Sequence, residues 1–322
     1  MDFEFENYLK GLTNAKQCTL IEEIQSLWSG YGYVARYQID NGDMTSVVVK
    51  CIQLEHSNTH PRGWHTSIGH QRKLRSYDVE TYWYKYWSKS CGMTCKVPKC
   101  IGALEQGHKR WIILEDLQVE YPLVKQQIAI EEVGVCLQWL ANFHARFLNT
   151  KPEGLWEIGT YWHLETRPEE FEKMEDDLLK SKAHEIDKCL NQCQFQTIVH
   201  GDAKLANFCF SEDGRRVAAV DFQYVGGGCG MKDVAYFLGS CLSGDACAYY
   251  ENDVLDYYFE CLRTAVSRRD VKIDINALEK EWREMYLIAS VDFTRFLLGW
   301  MPTHNKLNTY TRKIMETVLS KI

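Results

Sequence analysis

No apolar run in the 322 residues approaches the roughly 18 needed to span a bilayer, which excludes a helical integral membrane protein. At the start, Asp2, Glu4 and Glu6 stand where a secretory leader carries positive charge before an apolar stretch, so secretion is not expected. Basic surplus is lacking too. Lys plus Arg number 37 against 44 Asp plus Glu, a net charge of -7, which does not suit a protein that coats nucleic acid. Nothing repeats at a fixed period, and no low-complexity linker divides the chain. Cysteine is plentiful at 13, but the number is odd and the paired C-x2-C spacing of structural zinc sites is missing from Cys91, Cys95, Cys100 and from Cys189, Cys193. Buried thiols in a reducing cytoplasm are the expectation. What is present, 45% hydrophobic and 25% charged residues, is the balance of a folded globular protein long enough for two lobes.

Element types give the organisation. Tyr33, Ala35, Tyr37 and Ile39 alternate, Asn41-Gly42 is a two-residue turn signal, and Ser46 to Ile52 returns with Val47, Val49 and Cys51 on one side and Val48, Lys50 and Ile52 on the other. Residues 70–88 read as a helix on which Glu80 sits among Tyr77, Trp83, Tyr84 and Trp87, a costly place for a carboxylate unless a cation meets it. Arg75 or Lys85 on the same helix is one such partner. A short strand, Trp111 to Leu114, runs into Glu115-Asp116-Leu117. Beyond it the texture turns helical: Val133, Leu137, Leu140, His144 and Phe147 form a stripe, and most of the chain after about 230 follows suit. An α+β class is expected, with a β-rich lobe over 1–117 and a larger helical lobe over 118–322.

The chemistry concentrates in His200-Gly201-Asp202-Ala203-Lys204-Leu205-Ala206-Asn207 and the following apolar pair, Phe208–Phe210 and Val217–Val220, with turn residues Ser211-Glu212-Asp213-Gly214 between. Folding that hairpin brings Asn207 beside Asp221 at its open end. An amide oxygen and a carboxylate there are hard ligands suited to Mg²⁺ bound with substrate phosphates. Asp202 enters the same point from the loop, with Lys204 adding positive charge.

This arrangement resembles the catalytic loop and metal-binding segment of the protein-kinase-like phosphotransferases, in particular the branch of aminoglycoside phosphotransferases, choline kinases and ecdysteroid kinase-like proteins. The D-x-K-x-x-N spacing is that of the kinase catalytic loop, while His-Gly-Asp replaces His-Arg-Asp and Asp221-Phe222-Gln223 replaces Asp-Phe-Gly, as in the small-molecule branch. The resemblance extends upstream. Lys50 looks like the strand lysine that holds ATP phosphates and Glu80 like its helix partner. Leu114 to Leu117 resembles the hinge whose backbone binds adenine, which implicates Glu115 and Leu117. Ser29-Gly30-Tyr31-Gly32 stands where a phosphate loop belongs but lacks the full G-x-G-x-x-G pattern. Asp233 resembles the buried aspartate that braces the catalytic loop, and Pro61-Arg62-Gly63-Trp64 with His70 to Lys73 adds to the ecdysteroid kinase-like look. Gly226-Gly227-Gly228 reads as a flexible turn.

The resemblance implies a two-lobed protein-kinase-like fold and transfer of the γ-phosphate of ATP, with Mg²⁺, to a hydroxyl of a small molecule. Asp202 and Lys204 are then catalytic, Asn207 and Asp221 hold the metal, and Lys50, Glu80, Ser29, Gly30, Gly32, Glu115 and Leu117 bind the nucleotide. A catalytically silent nucleotide-binding module is the alternative; a protein kinase is disfavoured because no activation segment closed by Ala-Pro-Glu is seen. Trp156, Tyr161, Trp162, Trp282, Tyr286, Asp292 and Trp300 either cage a cationic acceptor or form helix core.

Overall fold

The computed structural model describes residues 3–27, 30–54 and 67–322. The chain separates into two compact units, Met1–Ser90 with Val97–Glu120, and Cys91–Lys96 with Tyr121–Ile322. Ser29 and Pro61 to Trp64 lie outside the described residues.

The first unit is built on an antiparallel five-stranded sheet in the order β1-β2-β3-β5-β4. Its strands are β1 Gln17–Ser26, β2 Gly32–Asp40, β3 Ser46–Gln53, β4 Cys100–Gln106 and β5 Lys109–Glu115. The alternating side chains Ala35, Tyr37, Ile39, Val47, Val49 and Cys51 are buried together with Phe5 and Leu9 of helix α1, Phe3–Thr13. Phe5 stacks on Trp111 with ring centroids 5.2 Å apart. The other side of β3 is buried as well, at Lys50 and Ile52, so this strand is covered on both faces. Helix α2 spans Ser67–Tyr82 and continues as a π-helical turn over Trp83–Trp87. The β2–β3 connection departs from the two-residue turn. Asn41 does take the left-handed conformation (φ 54°), but five residues, 41–45, lie between the strands. The extra length lets the tip dock on the end of α1, where Asp43 N donates to Thr13 O at 3.0 Å and Asn14 Nδ2 to Asp43 Oδ2 at 2.7 Å.

The second unit is helical. It contains α3 Ile130–Phe147, α4 Pro168–Lys173, α5 Asp177–Gln192, α6 Met231–Cys241, α7 Gly244–Ser267, α8 Ile275–Trp300 and α9 Thr309–Leu319. The α3 stripe Val133, Leu137, Leu140, His144 and Phe147 is buried throughout. Five short strands complete the unit: β6 Leu123–Val124, β7 Thr197–Val199, β8 Phe208–Phe210, β9 Val217–Ala219 and β10 Gly226–Gly228. β8 and β9 pair antiparallel with Phe208 opposite Ala219, which is the hairpin read from the sequence. Gly226 to Gly228 is not a flexible turn: it is β10, antiparallel to β7, and glycine is required because a Cβ on Gly226 would collide with the Trp156 carbonyl. The molecule is therefore α+β, a β-rich first part followed by a helical second part. Among the described residues no helix is long and apolar enough to cross a membrane.

Candidate active site

The loop from β7 to β8 is held from beneath. Asp233, in the first turn of α6 and fully buried, accepts from His200 N at 2.6 Å and Gly201 N at 2.9 Å. It also meets His144 Nε2 at 3.1 Å, while His144 Nδ1 bonds the Tyr258 hydroxyl at 2.7 Å. Gly201 sits at φ 81°, and a Cβ there would collide with the Tyr224 carbonyl, so glycine alone permits the bend after His200. His200 Nδ1 accepts from Asp202 N at 3.2 Å, which places the proton on Nε2, where it is donated to Val220 O at 3.0 Å. Burial lowers the His200 pKa and favours this neutral form. Both histidines are thus structural ties.

With the loop fixed, four side chains converge. Asp202 Oδ2 accepts from Lys204 Nζ at 3.0 Å and from Asn207 Nδ2 at 3.2 Å; Asn207 Nδ2 also donates to Asp202 O at 2.8 Å. Val220 N donates to Asn207 O at 3.0 Å across the mouth of the β8–β9 hairpin, which sets Asp221 next to Asn207. Asp221 itself is held at φ 68°, a left-handed conformation unusual for aspartate, and accepts from Gln223 Nε2 at 2.8 Å. Burial raises the Asp202 pKa, and Asp221 pushes it further up against the opposing pull of Lys204. Burial works against the charge on Lys204, but Asp202 and Asp221 outweigh it and raise its pKa.

The donor set fits a hard divalent cation. Asn207 spends its amide NH2 on Asp202, which leaves Oδ1 as the acceptor end of the amide for a cation. Among the described residues no group of three or more His, Cys, Asp or Glu side chains is arranged to hold a metal. A cation at Asn207 and Asp221 would therefore complete its shell with water and phosphate oxygens, as Mg²⁺ does.

In the first unit Lys50 Nζ lies 2.9 Å from Glu80 Oε1 and 2.7 Å from Oε2, both residues being buried. This cation answers the carboxylate set among aromatic rings. Gly30 (φ 75°) closes the β1–β2 turn by donating to Leu27 O at 3.2 Å, and Gly32 (φ 128°) begins β2. A Cβ on Gly32 would collide with the Cys51 carbonyl, so strand packing is a sufficient reason for that glycine. Glu115 closes β5, its amide donating to Lys99 O at 2.9 Å and its Oε2 accepting from Lys99 N at 3.0 Å. Asp116 anchors the next turn, bonded to Arg36 Nε, Ser46 Oγ and Gln118 N, and Leu117 follows with its side chain buried.

The seven aromatic-lobe candidates do not stay together. Trp282 is core, its Nε1 donating to Phe195 O at 2.9 Å, and Tyr286 is buried against the Tyr310 hydroxyl. Trp156 stacks on Tyr224. Asp292 is consumed by Arg295 Nε at 2.9 Å and Trp162 Nε1 at 3.1 Å. Tyr161, Trp162 and Trp300 do join a cluster with Tyr236 and Phe293. The negative charge of Asp202 helps burial raise the pKa of both Tyr161 and Tyr236, which places the phenols near that carboxylate. Sequence reasoning missed Arg167 and Lys306, which bring positive charge to these rings. No spacing links Lys306 to Asp202, so nothing local in the sequence marks it.

Residues 156–270 match the model of the ecdysteroid kinase-like family, a span that holds Asp202, Lys204, Asn207, Asp221 and Asp233. Among solved structures, the chain is similar to a putative fructosamine-3-kinase from Haemophilus somnus 129PT, at 12% identity over 98% of this chain and 96% of that one, with a TM-score of 0.49. It is similar to an ethanolamine kinase of Plasmodium vivax, at 12% identity over 96% and 84% of the two chains, TM-score 0.49. An aminoglycoside-3'-phosphotransferase of type VIII follows at 16% identity over 86% and 97%, TM-score 0.44. No curated protein matches the sequence. Over residues 156–270 the chain thus resembles the ecdysteroid kinase-like family.

Proposed function

We propose that the protein transfers the γ-phosphate of ATP to a hydroxyl of a small molecule. The observation that carries this reading is the convergence of Asp202, Lys204, Asn207 and Asp221 at one end of the β8–β9 hairpin. Asp202 orients the acceptor hydroxyl and takes its proton as the new O–P bond forms and the bond to the β-phosphate oxygen breaks, releasing ADP. A raised pKa makes Asp202 a better proton acceptor than an ordinary carboxylate while Lys204 holds it in place and offsets charge on the transferred group. Asn207 and Asp221 would hold Mg²⁺, which supplies charge neutralisation at the phosphates. Lys50, fixed by Glu80, is assigned to the nucleotide phosphates, with the turn that carries Gly30 and Gly32 assigned to the same phosphates. The backbone at Glu115 and Leu117 is assigned to adenine. Most of the rate then comes from alignment and electrostatics. All thirteen cysteines are free thiols, which supports a reducing, cytoplasmic setting.

The test is ADP release from Mg-ATP across amino alcohols, sugars, aminoglycosides and sterols, with Asp202→Asn as the blank. Release with one acceptor class, lost in Asp202→Asn and in Asp221→Ala, is the expected result. Release no greater than the blank with every class would favour the catalytically silent nucleotide-binding module.

A further inference from the structure

The rings beside Asp202 already carry cations of the protein's own. Lys306 Nζ, from the α8–α9 connection, lies 5.1 Å from the Tyr236 ring centroid and 5.3 Å from that of Phe293. The Arg167 guanidinium lies 5.7 Å from Tyr161 and 5.4 Å from Phe296. An aromatic cage for a quaternary ammonium needs open ring faces, and a spare carboxylate beside them strengthens it. The nearby carboxylates are committed instead: Asp202 to Lys204 at 3.0 Å, Asp292 to Arg295 at 2.9 Å and Glu170 to Arg167 at 3.1 Å. Lys306 Nζ makes no hydrogen bond or ion pair among the described residues, so its charge is answered only by the ring faces and the more distant field of Asp202.

We infer that Lys306 sets the charge selectivity of the acceptor site, so that the aromatic cluster beside Asp202 receives a hydroxyl compound bearing no positive charge and turns away quaternary and primary ammonium compounds. This rests on the reading of Asp202 as the group that receives the acceptor hydroxyl. A second cation brought within about 6 Å of Lys306 would lose roughly a hundredfold in affinity at an effective dielectric constant of about 20. Burial lowers the Lys306 pKa to about 8, with Asp202 opposing and Lys204 assisting, and the residue is still largely charged at neutral pH. The other groups facing it do not titrate in that range. Cys241 and Cys247 are pushed up to about 12 and about 11 by burial. His304 is lowered by burial and by Lys306, and Lys204 keeps its proton beside Asp202 and Asp221.

Choline and 3,3-dimethylbutan-1-ol have nearly the same shape and differ in charge, so the pair isolates the effect. Binding of each to the full chain without nucleotide is measured by calorimetry at pH 7 and pH 9. The wild type is expected to bind the uncharged alcohol at least about tenfold more tightly at pH 7, with the preference shrinking at pH 9 as Lys306 loses its proton. Lys306→Gln should level the preference at both pH values, and Lys306→Arg should keep it. A wild type that prefers choline, that binds neither compound, or whose preference survives Lys306→Gln overturns the inference. Because no nucleotide is present, a Lys306-dependent preference without any ADP release would sustain the charge selectivity and sink phosphoryl transfer. ADP release without that preference would do the reverse.

Discussion

Asp202 and the Lys50–Glu80 pair represent two ways of keeping charge out of water. At Asp202, burial dominates and raises the pKa, so the ionised carboxylate costs folding free energy. In metal-free protein, Asp202→Asn is therefore expected to melt at the same temperature or higher at pH 7 while losing turnover. The sign follows from linkage: with the folded pKa above the unfolded one, wild-type stability is lost as pH rises between them. The gap to Asp202→Asn should close as pH falls through the raised pKa toward the ordinary value near 3.8, which thermal scans in chelator would follow. Lys50 and Glu80, 6% and 1% exposed, compensate one another by direct contact. Lys50→Met should cost about 3–5 kcal/mol because it removes the cation in direct contact with a buried carboxylate, and adding Glu80→Leu should recover most of that loss in denaturant titrations.

At the scale of elements, the catalytic loop depends on a single backbone conformation. Gly30 and Gly201 both have positive φ, but a Cβ at Gly30 meets nothing within 4 Å whereas one at Gly201 strikes the Tyr224 carbonyl. Gly30→Ala should cost only about 1 kcal/mol, the ordinary penalty for that conformation, while Gly201→Ala should cost several times as much by displacing the loop or the Tyr224 and Thr160 backbone against it. Comparing their unfolding midpoints checks both values. The same scale shows why some elements were legible and others not. β2 and α3 bury one regular face and β3 is apolar along nearly its whole length, so each leaves a pattern in the residue order. β1 is an edge strand, exposed at nine of its ten positions and interrupted by two register shifts, and carries no alternation to read. Helix α1 went unread, and so did the pairing of Gly226 to Gly228, where glycine marks close backbone approach rather than freedom to bend.

Across the whole molecule, thirteen free thiols replace any cross-link. Cys136 and Cys229 are buried and their pKa values raised by burial. Unfolded protein without reductant should therefore titrate all thirteen with a thiol reagent, whereas the native protein should react quickly at only a few. A shortfall after unfolding would reveal an unexpected disulfide.

The residue order by itself determined the α+β class, the β8–β9 hairpin and the placing of Asp202, Lys204, Asn207 and Asp221 around it, because those contacts lie within about twenty residues and follow from strand pairing and turn chemistry. Lys50 and Glu80 were legible for another reason: a carboxylate among aromatic rings demanded a cation, and the resemblance to the kinase-like phosphotransferases pointed to Lys50 as that cation. Only the tertiary structure decided which aromatic residues gather near Asp202, that Asp292 meets Trp162, and that Lys306 and Arg167 occupy the ring faces. Those facts depend on segments far apart in the chain, such as Arg167 with Phe296 and Lys306 with Tyr236, meeting in three dimensions, and neither local periodicity nor residue spacing encodes such a meeting.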